Sequence, residues 1–217
     1  MDKKITLSCV SSLGNLIVIS APSGTGKTTV CDFIINRNKD IVSSISYTTR
    51  MPRQNEKNGR DYFFISKSEF QKMKHQKEFI EYTKIYGNYY GTSKKKLKNI
   101  LKTNKNVILK IDGKGGVNIK KQYSHTCTIF MITPNLKILK ERLIIRNEDN
   151  KRKIKTRLNN AKKEFEYIKQ YEYLVVNKEL INTVYIIQTI IKSLEYKNKS
   201  DQNIFDFWTD GFIRGVK

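Results

Sequence analysis

Residues 16–29 read L-I-V-I-S-A-P-S-G-T-G-K-T-T, an apolar run ending in a turn with two glycines, a lysine and two threonines. Leu16-Ile17-Val18-Ile19 has the composition of a strand buried on both faces, as parallel strands are. Val30-Cys31-Asp32-Phe33-Ile34-Ile35 after the turn suits a helix. A glycine-containing turn between a strand and a helix aims successive backbone N–H groups into one hollow, which the helix also faces with its positive end. Such a hollow takes a polyphosphate. In the pattern G-x-x-x-x-G-K-[ST], Lys27 supplies a point charge for the outer phosphates and the Thr28 hydroxyl a ligand for Mg²⁺. Ala21 holds the place of the first glycine. The whole turn, Ala21, Pro22, Ser23, Gly24, Thr25, Gly26, Lys27, Thr28 and Thr29, is therefore the expected ATP-binding loop.

Working outward, strands and helices alternate. The expected strands are 16–20, 41–46, 106–112, 127–132 and 173–176, and the expected helices are 28–36, 135–146, 151–170 and 178–196. Such alternation argues for an α/β fold of the P-loop NTPase type, a parallel sheet flanked by helices. Residues 48–92 break the rhythm. Tyr62-Phe63-Phe64 and Phe79-Ile80-Glu81-Tyr82 read as short strands, with Gly59 and Gly87-Asn88 as turns, so an inserted, mostly β subdomain is expected there. A charged segment poor in core residues, within 142–164, has the composition of a helical lid. The expected organisation is an extension over 1–15, a domain over 16–196 (core 16–47, 93–141 and 165–196) and a tail over 197–217. The tail carries Phe205, Phe207, Trp208 and Phe212.

The 217 residues carry 42 Lys+Arg against 20 Asp+Glu, a formal net charge of +22. A basic surface attracts nucleic acid through phosphate contacts. Here the lysines are spread along the chain, and no basic-aromatic recognition motif accompanies the runs at Lys94–Lys96 and Lys151–Lys153. Abundant Lys, Asn and Ile together fit compositional drift from an AT-rich genome, and the charge also draws anionic nucleotides. No specific nucleic-acid partner is expected. No apolar run approaches the roughly 18 residues that span a bilayer, so a cytoplasmic protein without membrane attachment is expected, as a monomer or homodimer. Three scattered cysteines and two isolated histidines offer neither a disulfide framework nor a zinc site.

A polyphosphate loop leaves the acceptor undetermined. Arg50 and Arg53, with Pro52 between them, present two guanidinium forks suited to a phosphate dianion. Asp61-Tyr62-Phe63-Phe64 and Gly87-Asn88-Tyr89-Tyr90-Gly91-Thr92 add phenols and a hydroxyl, with Glu81 between them.

With these pieces in order, the chain resembles the guanylate kinase family from about Leu16 to Ile191. The matching stretches are S-A-P-S-G-T-G-K-T-T, S-Y-T-T-R-M-P-R, G-R-D-Y-F-F, F-I-E-Y, G-N-Y-Y-G-T, I-D-G-K-G, the arginines of 142–157, and Y-L-V-V-N. The resemblance implies transfer of the γ-phosphate of ATP to GMP with Mg²⁺. It implies that Arg50, Arg53, Tyr62 and Tyr90 hold the GMP phosphate, and that Ser46, Glu81, Thr92 and Asp112 meet the guanine. Lys27, Arg146 and Arg157 are the implied catalytic cations, with Arg142 and Asn177 near the ATP. Glu81 also makes sense chemically: guanine shows two adjacent donors that one carboxylate accepts together, and adenine lacks that pair. Two alternatives share many of these features: a non-catalytic guanylate-kinase-like binding module, and a P-loop kinase with another acceptor. Retention of Gly26, Lys27, Thr28, Arg146 and Arg157 favours catalysis over the first.

The sequence departs from the family at Lys110, where an acidic residue is usual two positions before Asp112. Alternation along a strand puts the two on one face, so a Lys110–Asp112 pair and weakened magnesium binding are expected. Gly113-Lys114 replaces a bulkier residue and a glutamine. Ile145 and Asn147 replace glycines around Arg146, so a stiffer lid hinge is expected.

Overall fold

A computed structural model describes residues 14–85, 87–145 and 151–195. The extension before residue 14, the aromatic tail and Arg146 lie outside the described residues.

Five strands form one parallel sheet: β1 (Leu16–Ser20), β2 (Ile41–Ser43), β7 (Asn106–Ile111), β8 (Cys127–Ile132) and β9 (Tyr173–Val176), in the order β2-β7-β1-β8-β9. Every residue of β1 is buried because it lies at the centre with helices on both faces. On one face Ile17, Ile19, Ile108, Ile129 and Met131 pack against Val30, Cys31 and Ile34 of α1 (Lys27–Asn36) and Val184, Ile187 and Ile191 of α7 (Leu180–Ser193). On the other, Val18, Val107, Leu109 and Ile111 meet Leu97 of α3 (Lys94–Leu101) and Ile119 of α4 (Gly113–Gln122). Leu139 and Leu143 of α5 (Leu136–Ile145) form a third cluster with Ala161 of α6 (Lys151–Phe165). A 3-10 turn, Ile168–Gln170, separates α6 from β9 where one long helix over 151–170 is expected.

A second sheet, in the order β4-β3-β6-β5, joins β3 (Tyr47–Thr48), β4 (Phe63–Phe64), β5 (Phe79–Ile85) and β6 (Asn88–Ser93). The single strand expected over 41–46 thus stops at Ser43, and the chain enters the second sheet at Tyr47. Between β4 and β5 lies α2 (Lys67–His75), started by a capping box: Ser66 Oγ accepts the Glu69 N–H and the Glu69 carboxylate accepts the Ser66 N–H. The second sheet is stabilised by stacked aromatics. Phe70 of α2 is fully buried between Phe79, at 4.5 Å, and Tyr89, at 5.2 Å between ring centroids. Gly91 admits these rings, since a Cβ there would lie 2.9 Å from Phe79 and 3.1 Å from Phe70.

Among the described residues no helix is long and apolar enough to cross a membrane. Cys31 and Cys127 are buried, and among the described residues neither is in a disulfide.

Replacing Phe70 by Ala should destabilise the protein by about 3–5 kcal/mol, the range for deleting a buried aromatic ring. Urea unfolding followed by far-UV circular dichroism measures it.

Candidate functional site

The carboxyl ends of the parallel strands carry one continuous set of polar groups, where ligands of open α/β sheets bind. After β1, Gly24 and Gly26 adopt φ of 89° and 95°, which aims the turn's amides inward. Gly26 begins α1 with no side-chain cap, and the first turn holds no acidic residue. Its N–H groups are therefore available to an anion.

The loop is held from behind. Asn177, buried at the end of β9, donates from Nδ2 to the Thr25 carbonyl at 2.7 Å and accepts the Thr183 hydroxyl at 2.9 Å. Arg142 of α5 donates to the Thr25 carbonyl at 3.1 Å and to the Asn177 carbonyl at 3.3 Å. Both residues expected near ATP thus also lock the loop's backbone. Ala21 and Pro22 are buried, whereas Thr28 and Thr29 are exposed at the start of α1.

Lys27 reaches across to β7, donating to the Ile111 carbonyl at 2.6 Å. Burial pulls its ammonium below the ordinary lysine pKa, against support from Glu164 and Asp112. Glu164, the one acid in α6, is pushed up to about 7 by burial, with Lys27 opposing the rise. Its Oε2 is buried without a hydrogen-bond partner among the described residues. Tyr171 closes the back of the site, donating to Ser20 Oγ at 2.7 Å and to the Gly113 carbonyl at 3.0 Å.

One residue beyond Ile111 a second cluster begins. Asp112 caps α4, its Oδ1 accepting the Gly115 N–H at 2.6 Å. A Cβ built on Gly115 would lie 3.1 Å from that oxygen and 3.3 Å from Glu81 Oε2, so both carboxylates converge on this glycine. Thr92 Oγ1 donates to Glu81 Oε1 at 2.7 Å. Burial raises Glu81 to about 7; the Thr92 bond opposes the rise and Asp112 adds to it. A cavity of about 390 Å³ opens beside this cluster, lined by Tyr82, Thr83, Lys84, Tyr89 and Lys114 among others.

The third cluster lies in the second sheet. Arg50 makes two 2.8 Å bonds to the Glu56 carboxylate, and its guanidinium carbon lies 5.4 Å from the Tyr62 ring centroid. Tyr62 and Tyr90 meet edge to face at 6.0 Å. Burial works against the Arg50 charge, yet bonding to Glu56 and Tyr90 leaves its pKa above the ordinary value. The Arg53 side chain is exposed, with its backbone N–H on Glu56 at 2.9 Å. Ser46 is half-buried and its carbonyl accepts the Phe63 N–H.

Of the expected residues, Lys27, Arg142 and Asn177 gather about the loop after β1, Glu81, Thr92 and Asp112 beside Gly115, and Arg50, Tyr62 and Tyr90 in the second sheet. Arg157 lies half-buried on α6. The expected Lys110–Asp112 pair is not formed: Asp112 is committed to the α4 cap, and Lys110 bonds Asp32 of α1 at 2.9 Å. Gly113 is small because Tyr167 and Phe130 would contact a Cβ there at 3.0 and 3.3 Å. Sequence reasoning missed Glu56, Glu164 and Tyr171. None carried a clear signal: the helix expected over 151–170 holds both Glu164 and Glu166, and only its observed end at Phe165 singles Glu164 out.

The guanylate kinase family model matches residues 13–194. A guanylate kinase of Clostridium tetani is 44% identical over 180 residues, covering 83% of this chain and 86% of the relative. One from Nitrosomonas europaea is 38% identical over 182 residues, covering 84% and 90%. The crystal structure of guanylate kinase from Anaplasma phagocytophilum superposes with a TM-score of 0.74 at 28% identity, covering 90% of this chain and 95% of that one.

Glu81 generates a pH prediction. Its carboxyl has a raised pKa in the folded state, so the folded protein holds more protons than the unfolded chain between about pH 4.5 and 7, and stability falls as pH rises through that window. Glu81→Gln should therefore raise ligand-free stability at pH 8 by roughly 1–3 kcal/mol while changing little at pH 4. Urea unfolding at the two pH values checks it.

Proposed function

We infer how the cleft divides its labour from one premise: the chain belongs to the guanylate kinase family and transfers the γ-phosphate of ATP to GMP. The observation that supports this division is the end of β7. Ile111 holds the lysine of the polyphosphate loop, and the next residue, Asp112, belongs to the carboxylate pair beside Gly115. Donor and acceptor sites are therefore one residue apart along a strand.

In our reading the uncapped start of α1 and the amides of Ala21 to Thr29 cradle the ATP phosphates. Lys27 leaves the Ile111 carbonyl to meet the outer phosphates, and Arg142 and Asn177 steady the loop near the adenosine. The exposed Thr28 hydroxyl, in the first turn of an uncapped helix, fits a hydrated Mg²⁺ carried in by the nucleotide. Bound there, the ion neutralises phosphate charge. Arg50, Arg53, Tyr62 and Tyr90 receive the GMP phosphate, which replaces Glu56 on the Arg50 fork. Glu81 accepts guanine N1–H and the 2-amino group, with Ser46, Thr92 and Asp112 completing the base pocket. Because Glu81 is buried, adenine would leave its oxygens unpaired, which costs affinity for the wrong base.

Phosphoryl transfer asks little covalent chemistry of a protein; alignment and charge neutralisation dominate. Arg157 of α6 and Arg146 of the lid supply positive charge to the transferring group and exclude water as the lid closes. Residues 48–92 act as the GMP-binding subdomain and 142–164 as the lid. The enzyme works in the cytoplasm, as a monomer or homodimer.

A coupled assay of ADP release with ATP and GMP tests the reading, with Lys27→Ala expected to fall by about 10³-fold or more. Glu81→Gln should lose GMP turnover by about 10²-fold while ATP binding, measured by calorimetry, stays within about twofold. Unchanged GMP kinetics in Glu81→Gln would remove Glu81 from the base site.

A further inference from the structure

Lys110 has no part in the division of labour above, yet it lies at the end of β7 that leads through Ile111 to Asp112. It pairs in the sheet with Ile19 of β1 and lies one residue before Ile111, the carbonyl partner of Lys27. Its ammonium bonds Asp32 Oδ1 at 2.9 Å. Asp32 is one helical turn beyond Thr28, on the same face of α1. Three neighbours report the reach of its charge. Burial lowers the Lys27 ammonium and Lys110 adds to that lowering; burial raises the Cys31 thiol and the Tyr62 phenol, and Lys110 opposes both. Tyr62 belongs to the acceptor cluster and Lys27 to the donor cluster. In the strand itself, Lys110 directly precedes the carbonyl that holds Lys27 and comes two residues before Asp112, where donor and acceptor sites meet.

The Asp32 pair does little for the fold. The two side chains are 49% and 28% exposed, and ion pairs of that exposure contribute about 0–1 kcal/mol. Lys110 is thus loosely held on a flexible four-carbon stem, and a polyphosphate is a stronger anion than one half-exposed carboxylate. A cation beside another, Lys27, is repelled until an anion arrives between them.

We propose that Lys110 is a further catalytic residue, whose ammonium exchanges Asp32 for the phosphoryl group in flight between the Lys27 and Tyr62 clusters. This deepens, and rests on, the donor and acceptor assignment given under Proposed function. In the step itself the bond from the γ-phosphorus to the β–γ bridging oxygen breaks, its electron pair stays on ADP, and a GMP phosphate oxygen forms the new bond. Lys110 takes no part in the making or breaking of bonds and supplies charge alone.

The experiment compares Lys110→Met, Lys110→Arg and Asp32→Asn with the wild-type chain. Lys110→Met should lower kcat about 10–100-fold with both KM values within about threefold, and Lys110→Arg should recover most of it. Asp32→Asn should keep kcat within about twofold, because it removes the parking partner and leaves the cation. A second readout needs no turnover: a bisubstrate analogue joining adenosine and guanosine through five phosphates should bind Lys110→Met about tenfold more weakly, with GMP affinity unchanged. Lys110→Gln replaces Lys110→Met should the latter lose its cooperative melting transition. The proposal is overturned by unchanged kcat in Lys110→Met, or by a loss in Asp32→Asn as large as in Lys110→Met, which would make the pair or the carboxylate the working element. Wild-type protein without GMP phosphorylation would instead overturn the underlying assignment, so the two failures are separable.

Discussion

The bond from Lys27 to the Ile111 carbonyl, 2.6 Å long, ties the polyphosphate loop to the neighbouring strand. Every other part of the cleft is arranged about it. A lysine needs an acceptor when it is drawn inward, and the carboxyl end of a parallel strand supplies one that sheet pairing has left over. Because β1 and β7 pair in register from Leu16↔Val107 to Ser20↔Ile111, the loop after one strand and the cap after the other begin at the same level. Two sites with different chemistry thus meet without any long connection. Ser20 and Tyr171 strengthen that meeting, through Ser20 Oγ on the Asp112 carbonyl and Tyr171 on Ser20 and Gly113.

Two carboxyls, both raised by burial, flank this junction and suit opposite partners. Glu81 is buried against a threonine and near Asp112, and its position suits a partner that brings hydrogen-bond donors. Glu164 is buried against Lys27, and its position suits compensation of a cation when no phosphate is near. A chain with a net charge of +22 has no shortage of cations, so placing its few acids is the discriminating act. Arg142 shows the other side of that economy, since it secures backbone carbonyls.

Much of this was legible in the sequence, and the exceptions share a cause. Strands β1, β8 and β9 lie at their expected residues because continuous apolar runs leave little choice of boundary. Helices α3 and α4 were not expected. K-K-K-L-K-N-I-L reads as a charge run until Leu97 is seen in the core, and G-K-G-G-V-N-I-K-K-Q contains three glycines that weaken any helical signal. In α4 those glycines serve packing: Tyr171 fills the space a Gly116 side chain would need. The aromatic and arginine motifs indicated which residues gather, but not their resting partners. Strand alternation offered Asp112 to Lys110, and helix capping, a local demand from the Gly115 N–H three residues on, took it first.

The Arg50–Glu56 fork has a consequence for ligand choice. In the ligand-free protein the guanidinium already makes two 2.8 Å bonds to a carboxylate, so an incoming group gains only the difference between itself and Glu56. A nucleoside brings no competitor and leaves the fork shut. In the proposed division of labour, the monoester dianion of the acceptor brings more charge and more acceptor oxygens to that swap than a carboxylate does. On that reading the internal carboxylate is a tare weight on a balance, set against whatever anion arrives at Arg50.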